Sequence, residues 1–151
     1  MSKCLYCYQD IQEPNHQEYH TQCAEEFYGV PTALILPYNQ DEIAELAKQV
    51  VQRSVTVPGV QPKLSMGVNN ILQGKATGRL TILDAFKGLY ILKPQNEYPS
   101  MPENEHLSMK LSQLVKIDVV PSTLIRLKSG ELCYLTKRID RTPDGKKLHM
   151  I

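Results

Sequence analysis

Apolar positions along this chain change period several times, and the changes divide it into elements. Ile43, Leu46, Ala47, Val50 and Val51 recur at helical spacing. Asn39 stands before them as an N-cap and Glu42 completes a capping box, so the pattern predicts an amphipathic helix over residues 40–53. From Ser54 the spacing shortens to a strand-like alternation over 54–57, broken by Pro58-Gly59. Residues 63–68 read as a returning strand and 69–78 as a polar, glycine-containing loop. Leu80, Ile82 and Leu83 mark a third strand, and residues 90–93 a fourth that Pro94 ends.

A second helical pattern follows the proline-rich turn around Pro99 and Pro102. Leu107, Leu111, Leu114 and Val115 fall on one face of a helix predicted over 104–116. Residues 123–127 and 131–136 are then two apolar strands joined by Lys128-Ser129-Gly130, a three-residue hairpin loop with glycine where a positive φ is needed. Residues 24–38 show little periodicity and read as a linker with a short buried strand or turn at Ala33-Leu34-Ile35-Leu36. The tail from Arg141 is charged and turn-like. A run of strands interrupted by one helix gives an α+β fold.

Composition narrows the class. With 151 residues, the chain is one domain or two small ones. Its apolar content of 42% is too high for a disordered chain. Lys plus Arg total 17 against 16 Asp plus Glu, a net charge of +1 that argues against a dedicated nucleic-acid binder, zinc-dependent or otherwise. The longest aliphatic run is the four residues 33–36, far from the roughly 20 a spanning helix needs, and no charged-then-apolar leader opens the chain. The expectation is a soluble cytoplasmic protein with no membrane partner.

Three of four cysteines crowd the first 23 residues. Cys4 and Cys7 form a C-x2-C, His20 and Cys23 an H-x2-C, with twelve residues between the pairs that can fold back as a hairpin. Two-residue spacers let a tight turn present both ligands of a pair to one ion, and four such ligands suit a closed, structural zinc site. His16 is a nearby alternative to His20. A redox pair or unrelated thiols would be the competing readings, but nothing places this C-x2-C at the start of a helix after a strand. Cys133 stands apart and reads as a buried thiol.

A second set of residues is dispersed. The turn tipped by Gly59 can aim backbone N–H groups at phosphates, although it matches neither G-x-G-x-x-G nor a Walker sequence, and an ordinary hairpin is the alternative. Lys93 ends an apolar strand, where a lysine can reach phosphates if an acidic residue on a neighbouring helix holds it. Glu105, early in the following helix, is placed to do so; a surface lysine and a dipole-favoured glutamate are the bland reading.

Pro58-Gly-Val-Gln-Pro-Lys63, Ile91-Leu-Lys-Pro94, Pro102-Glu-Asn-Glu-His106 and Thr136-Lys-Arg-Ile-Asp-Arg141 occur in this order. Together they resemble the N-terminal part of HipA-type serine/threonine kinases, the toxins of type II toxin–antitoxin modules. The likeness covers roughly residues 54–141, and the Cys/His start with Phe27-Tyr28-Gly29 is similar to leaders of some HipA-like proteins. The resemblance implies a kinase N-lobe-like antiparallel sheet with one αC-like helix over residues 54–151, preceded by a zinc knuckle over 1–30 and a linker plus helix over 31–53. It implies ATP with magnesium as the ligand. Val57, Pro58, Gly59, Val60, Gln61 and Lys63 would form the loop over the phosphates. Lys93 would be the phosphate lysine with Glu105 its partner. Lys137 and Ile139 would lie in an adenine-binding hinge, and Asp140 would approach the ribose. Ser54 and Thr56 would be candidates for autophosphorylation, which would put close to two negative charges where ATP phosphates sit.

The hinge departs from relatives that carry Glu, Arg and Phe there. The catalytic aspartate and magnesium ligands lie beyond the hinge in that family, and ten residues follow Arg141 here. Asp144, in a Pro-Asp-Gly turn, reads as a turn residue. The resemblance therefore implies an ATP-binding lobe with no catalytic residue of its own, inactive alone, whose partners are a C-terminal lobe or an antitoxin protein. The alternative is a non-catalytic zinc-containing module that docks on and regulates a separate kinase subunit.

Overall fold

A computed structural model describes residues 2–12, 17–53, 63–69, 78–82, 88–142, 144 and 146–149. Ser2–Lys3 (β1) and Asp10–Ile11 (β2) pair antiparallel around the Cys4–Cys7 turn. Two helices follow, Thr21–Tyr28 (α1) and Gln40–Arg53 (α2). The main sheet is built from Leu64–Asn69 (β3), Arg79–Ile82 (β4), Tyr90–Lys93 (β5), Ser122–Arg126 (β6) and Leu132–Lys137 (β7). Its order is β4-β3-β5-β7-β6, antiparallel throughout, and the helix Met101–Leu114 (α3) is inserted between β5 and β6. The α+β class expected from the element order is the one observed.

Helix α2 starts where its sequence says. Asn39 Oδ1 accepts from the Glu42 N–H at 2.9 Å, and Glu42 Oε2 accepts from the Asn39 N–H at 2.8 Å, a reciprocal cap that satisfies two orphan donors. Ile43 and Ala47 are buried on its inner face. Gly130 takes φ +107° in the β6–β7 hairpin, as the loop requires. Between β3 and β5 the backbones approach so closely that a Cβ on Gly88 would lie 2.6 Å from the Met66 carbonyl oxygen. Leu64, Met66, Leu80, Leu92 and Leu135 are fully buried in this sheet. Each contributes on the order of 2 kcal/mol of transfer free energy.

Two expectations need correction. Residues 24–28, the start of the stretch that reads as a linker, are helical as the greater part of α1; Gly29 at φ +77° closes α1, and Ala24 and Phe27 bury its inner face. A short β1–β2 hairpin brackets Cys4 and Cys7, while residues 13–16 in the gap between the two ligand pairs lie outside the described residues. Helix α3 starts at Met101, with Pro102 tolerated in its first turn, and its leucine stripe is not the packed face. Leu107, Leu111, Leu114 and Val115 are 47–78% exposed. Pro102 and His106 are buried instead, and α3 packs on β6 and β7 through that side.

The segment 33–36 is strand-like as expected. Leu34 and Leu36 are buried while Ile35 is exposed, and Ile35 bridges Arg79 of β4, with its carbonyl accepting from Leu80 at 2.9 Å. No helix among the described residues is long and apolar enough to cross a membrane.

Candidate functional site

Lys93 is the last residue of β5 and stands opposite Tyr134 of β7. Its ammonium donates to Glu105 Oε1 on the second turn of α3. The side chains are 20% and 18% exposed, so the pair is shielded from water far more than an ordinary surface ion pair. The Lys93 Nζ also lies 5.3 Å from the Tyr134 ring centroid, within cation–π range. The structure thus joins the two residues that the HipA-type resemblance implied as partners.

Next to Glu105, His106 is fully buried. Its Nδ1 and the Tyr8 hydroxyl are 2.6 Å apart, and its Nε2 faces the Ser122 backbone without a well-aligned bond. Burial, helped by the nearby Lys110 charge, pushes its pKa down to about 4. The ring is therefore neutral at pH 7.

The predicted hinge leaves β7 beside the start of β5, where the Arg138 N–H donates to the Leu89 carbonyl at 2.8 Å. The Arg138 guanidinium grips Asp140 through two bonds, Nε to Oδ1 at 2.7 Å and Nη2 to Oδ2 at 2.5 Å. Those bonds hold the Asp140 carboxyl below the usual carboxylate range. Arg141 Nε adds a second cation 3.7 Å from the same carboxylate. Ile139 is exposed, and Lys137 Nζ sits 5.3 Å from the Phe27 ring centroid. Lys63 is exposed immediately before β3. Ser54, Thr56, Val57, Pro58, Gly59, Val60 and Gln61 lie outside the described residues, as does His16.

The Cys/His residues converge. The Sγ atoms of Cys4, Cys7 and Cys23 and a ring nitrogen of His20 all lie within 4.8 Å of one another. Cys4 and Cys7 sit in a tight turn closed by the Tyr8 N–H donating to the Cys4 carbonyl at 2.9 Å, with Tyr8 at φ +64°. His20 caps α1 and Cys23 lies in that helix's first turn, which is why two intervening residues suffice. Burial raises the Cys4 thiol, but backbone N–H groups of Cys7, His20 and Tyr6 outweigh it and bring its pKa to about 7. Partial burial of Cys23, with Cys4 beside it, pushes its thiol up to about 12. This donor set of three sulfurs and one imidazole fits zinc.

No motif in the sequence marks the roles of Tyr6, Tyr8 and Lys110, and although His106 and Asp140 stand in the motifs quoted above, the Tyr8–His106 contact and the Arg138–Asp140 clasp emerge only in the fold. The one available hint was the pair of tyrosines flanking Cys7.

The chain matches the family described as HipA-like C-terminal domain over residues 55–151. The chain belongs to this HipA-like family. The match is to a C-terminal domain, so it carries the HipA likeness expected above and not the label of an N-terminal portion. A Haemophilus influenzae protein named "Putative kinase" is 28% identical over 119 residues, 76% of this chain and 32% of that protein. A Sinorhizobium fredii protein named "Putative kinase Y4dM" is 32% identical over 122 residues, 72% of this chain and 28% of that protein. The chain spans about a third of the length of these curated relatives. Lys93, Glu105 and the 137–140 segment all fall inside the HipA-like match, whereas the four Cys/His residues precede it.

Proposed function

We propose that this chain carries the ATP-binding lobe of a HipA-like protein serine/threonine kinase. The observation that carries the reading is the Lys93–Glu105 ion pair. In protein kinases a lysine on the third strand of the lobe pairs with a glutamate on the following helix, and both must be in place for the lysine to hold nucleotide phosphates. Among the described residues β5 is the third strand of the main sheet in chain order, α3 follows it, and the two supply that lysine and that glutamate.

The strand register supports the same reading. Tyr90 pairs with Lys137 and Lys93 with Tyr134, so the hinge and the lysine sit at opposite ends of one strand pair. Three residues of strand separate them, roughly 10 Å. That is the scale on which a nucleotide extends from base to phosphates. In this reading Lys93 binds phosphate, and Glu105 is a positioning residue that fixes the ammonium. The backbone of 137–139 meets the adenine. Asp140 accepts one Arg138 bond on each carboxylate oxygen, which leaves a lone pair on each for a ribose hydroxyl. ATP arrives with magnesium, which supplies charge neutralisation at the phosphates.

The test is calorimetric titration of the purified chain with MgATP, beside Lys93→Ala. Saturable one-site binding that the substitution weakens supports the reading; no binding, or equal binding by both proteins, overturns it. A second reading has one observation in its favour. The exposed leucine stripe of α3 would suit a regulatory module that docks on a separate kinase subunit. That module would give no MgATP signal at all.

A further inference from the structure

The geometry points to a single zinc ion held by Cys4, Cys7, His20 and Cys23, whose bound segment clamps α3 and thereby sets Glu105 against Lys93.

The ligand geometry comes first. Zinc–sulfur and zinc–nitrogen bonds of about 2.3 and 2.05 Å in a tetrahedron place sulfur and nitrogen about 3.6 Å apart. His20 Nδ1 lies 3.5 Å from Cys7 Sγ and 3.7 Å from Cys23 Sγ. Its other nitrogen, Nε2, is 3.2 Å from the Asp10 carbonyl oxygen. That is the outer-shell contact that orients a ligating imidazole and fixes its tautomer. All four protein positions are filled, leaving none for substrate, so the ion's work is structural.

What the ion would hold is the second step. The strands flanking the Cys4–Cys7 turn are two residues each, too short for a hairpin to persist by itself. Yet the turn carries polar links from this segment to α3. Tyr8 meets His106 at 2.6 Å, the residue next to Glu105. Tyr6 presents its ring to Lys110, one helical turn further on, with Nζ 3.8 Å from the centroid, and donates its hydroxyl to Glu26 of α1 at 2.6 Å. Between them the Leu5 carbonyl accepts from the Leu124 N–H and from Thr123 Oγ1, both at 3.2 Å, fixing the turn to β6. One turn, closed by two zinc ligands, therefore grips β6 and the inner side of α3 at once. Releasing the ion removes the metal cross-link between this turn and α1 and leaves the Tyr6–Glu26 hydrogen bond and the Tyr6–Phe27 ring contact to hold them together. The tyrosines are then held less firmly, and Glu105 loses its backing.

Metal binding and helix anchoring stand apart from the nucleotide reading; only the consequence for phosphate binding rests on it. The experiment is metal analysis of chain purified without chelator, followed by amide hydrogen exchange before and after chelation. One zinc per chain is expected, lost in Cys23→Ser. Removal should speed exchange across 103–110, with β5 and β7 still protected, and added zinc should restore protection. Tyr8→Phe with zinc retained decides the clamp even if the metal-free chain unfolds as a whole. It should speed exchange at 103–110 roughly five- to tenfold, the scale of one hydrogen bond. Well under one zinc per chain, with no uptake of added zinc, overturns the site. Unchanged exchange across 103–110 in Tyr8→Phe overturns the clamp. Failure of MgATP to bind would sink the nucleotide reading and leave both of these results standing.

Discussion

Lys93 and Glu105 close an ion pair between the end of a central strand and the second turn of the helix that follows it. Because each side chain is about four-fifths shielded, neither charge is well solvated without the other. Lys93→Ala should weaken MgATP binding by roughly ten- to a hundredfold, the loss of one charge-assisted contact. Glu105→Gln should weaken it less, since the lysine remains but is no longer fixed. Calorimetry on the two variants, with urea melts to verify folding, separates binding from stability.

His106 gives a pH signature. Its folded pKa of about 4 lies below the unfolded 6.5, so between these values the unfolded chain binds more protons. Stability should therefore be full above about pH 6.5 and fall as pH drops toward 4, by roughly 3 kcal/mol if the whole shift is realised. Thiolate ligands also take up protons in acid, so the comparison is with His106→Gln, which keeps a partner for Tyr8 but does not titrate. The variant's urea midpoint should decline less steeply over pH 6.5–4. Parallel slopes would assign the acid sensitivity elsewhere.

The backbone makes a prediction at two glycines. A methyl on Gly88 would collide with the Ser65 hydroxyl and with Met66 backbone atoms 2.6 and 2.8 Å away. Main chain cannot yield as a side chain does, so Gly88→Ala should cost about 3 kcal/mol and pry β3 from β5. Gly130 has open space around its Cβ position but φ +107°, so Gly130→Ala should cost only about 1 kcal/mol. Thermal melts of the two variants give the order directly.

How much of this was legible beforehand depended on range. Asn39 and Glu42 are three residues apart, and their capping box set the start of α2 correctly. Lys93 and Glu105 are twelve apart in sequence; a strand end followed by a helix start made the pair possible, and it was the HipA-type resemblance that favoured it over a surface lysine and a dipole-favoured glutamate. Helix α1 was missed because eight residues give barely two turns of periodicity, and its Gly29 stop signal went unread beside Pro31. The α3 face was misread for a different reason. Tyr8 and His106 are 98 residues apart, and only the folded chain reveals that a histidine, not the leucines, is the buried anchor. Amphipathic spacing identifies a stripe; it does not say which stripe meets the sheet when the inner side must hold a charged residue.

That misreading has a measurable consequence. Leu111 and Leu114 are 54% and 78% exposed, and Val115 and Ile117 extend the apolar strip to 69% and 58% exposed positions. Truncating a core leucine leaves a cavity and costs 2–5 kcal/mol, whereas a surface change stays within about 0.5 kcal/mol. Leu111→Gln should therefore leave the urea midpoint nearly unchanged, and Leu124→Ala, at a fully enclosed position of β6, should lower it by several kcal/mol. The same Leu111→Gln should reduce any concentration-dependent association seen by light scattering, because a contiguous exposed apolar strip favours self-contact. A large loss of stability in Leu111→Gln would mean that the leucines face the core after all and that α3 is rotated about its axis, which would also carry Glu105 away from Lys93.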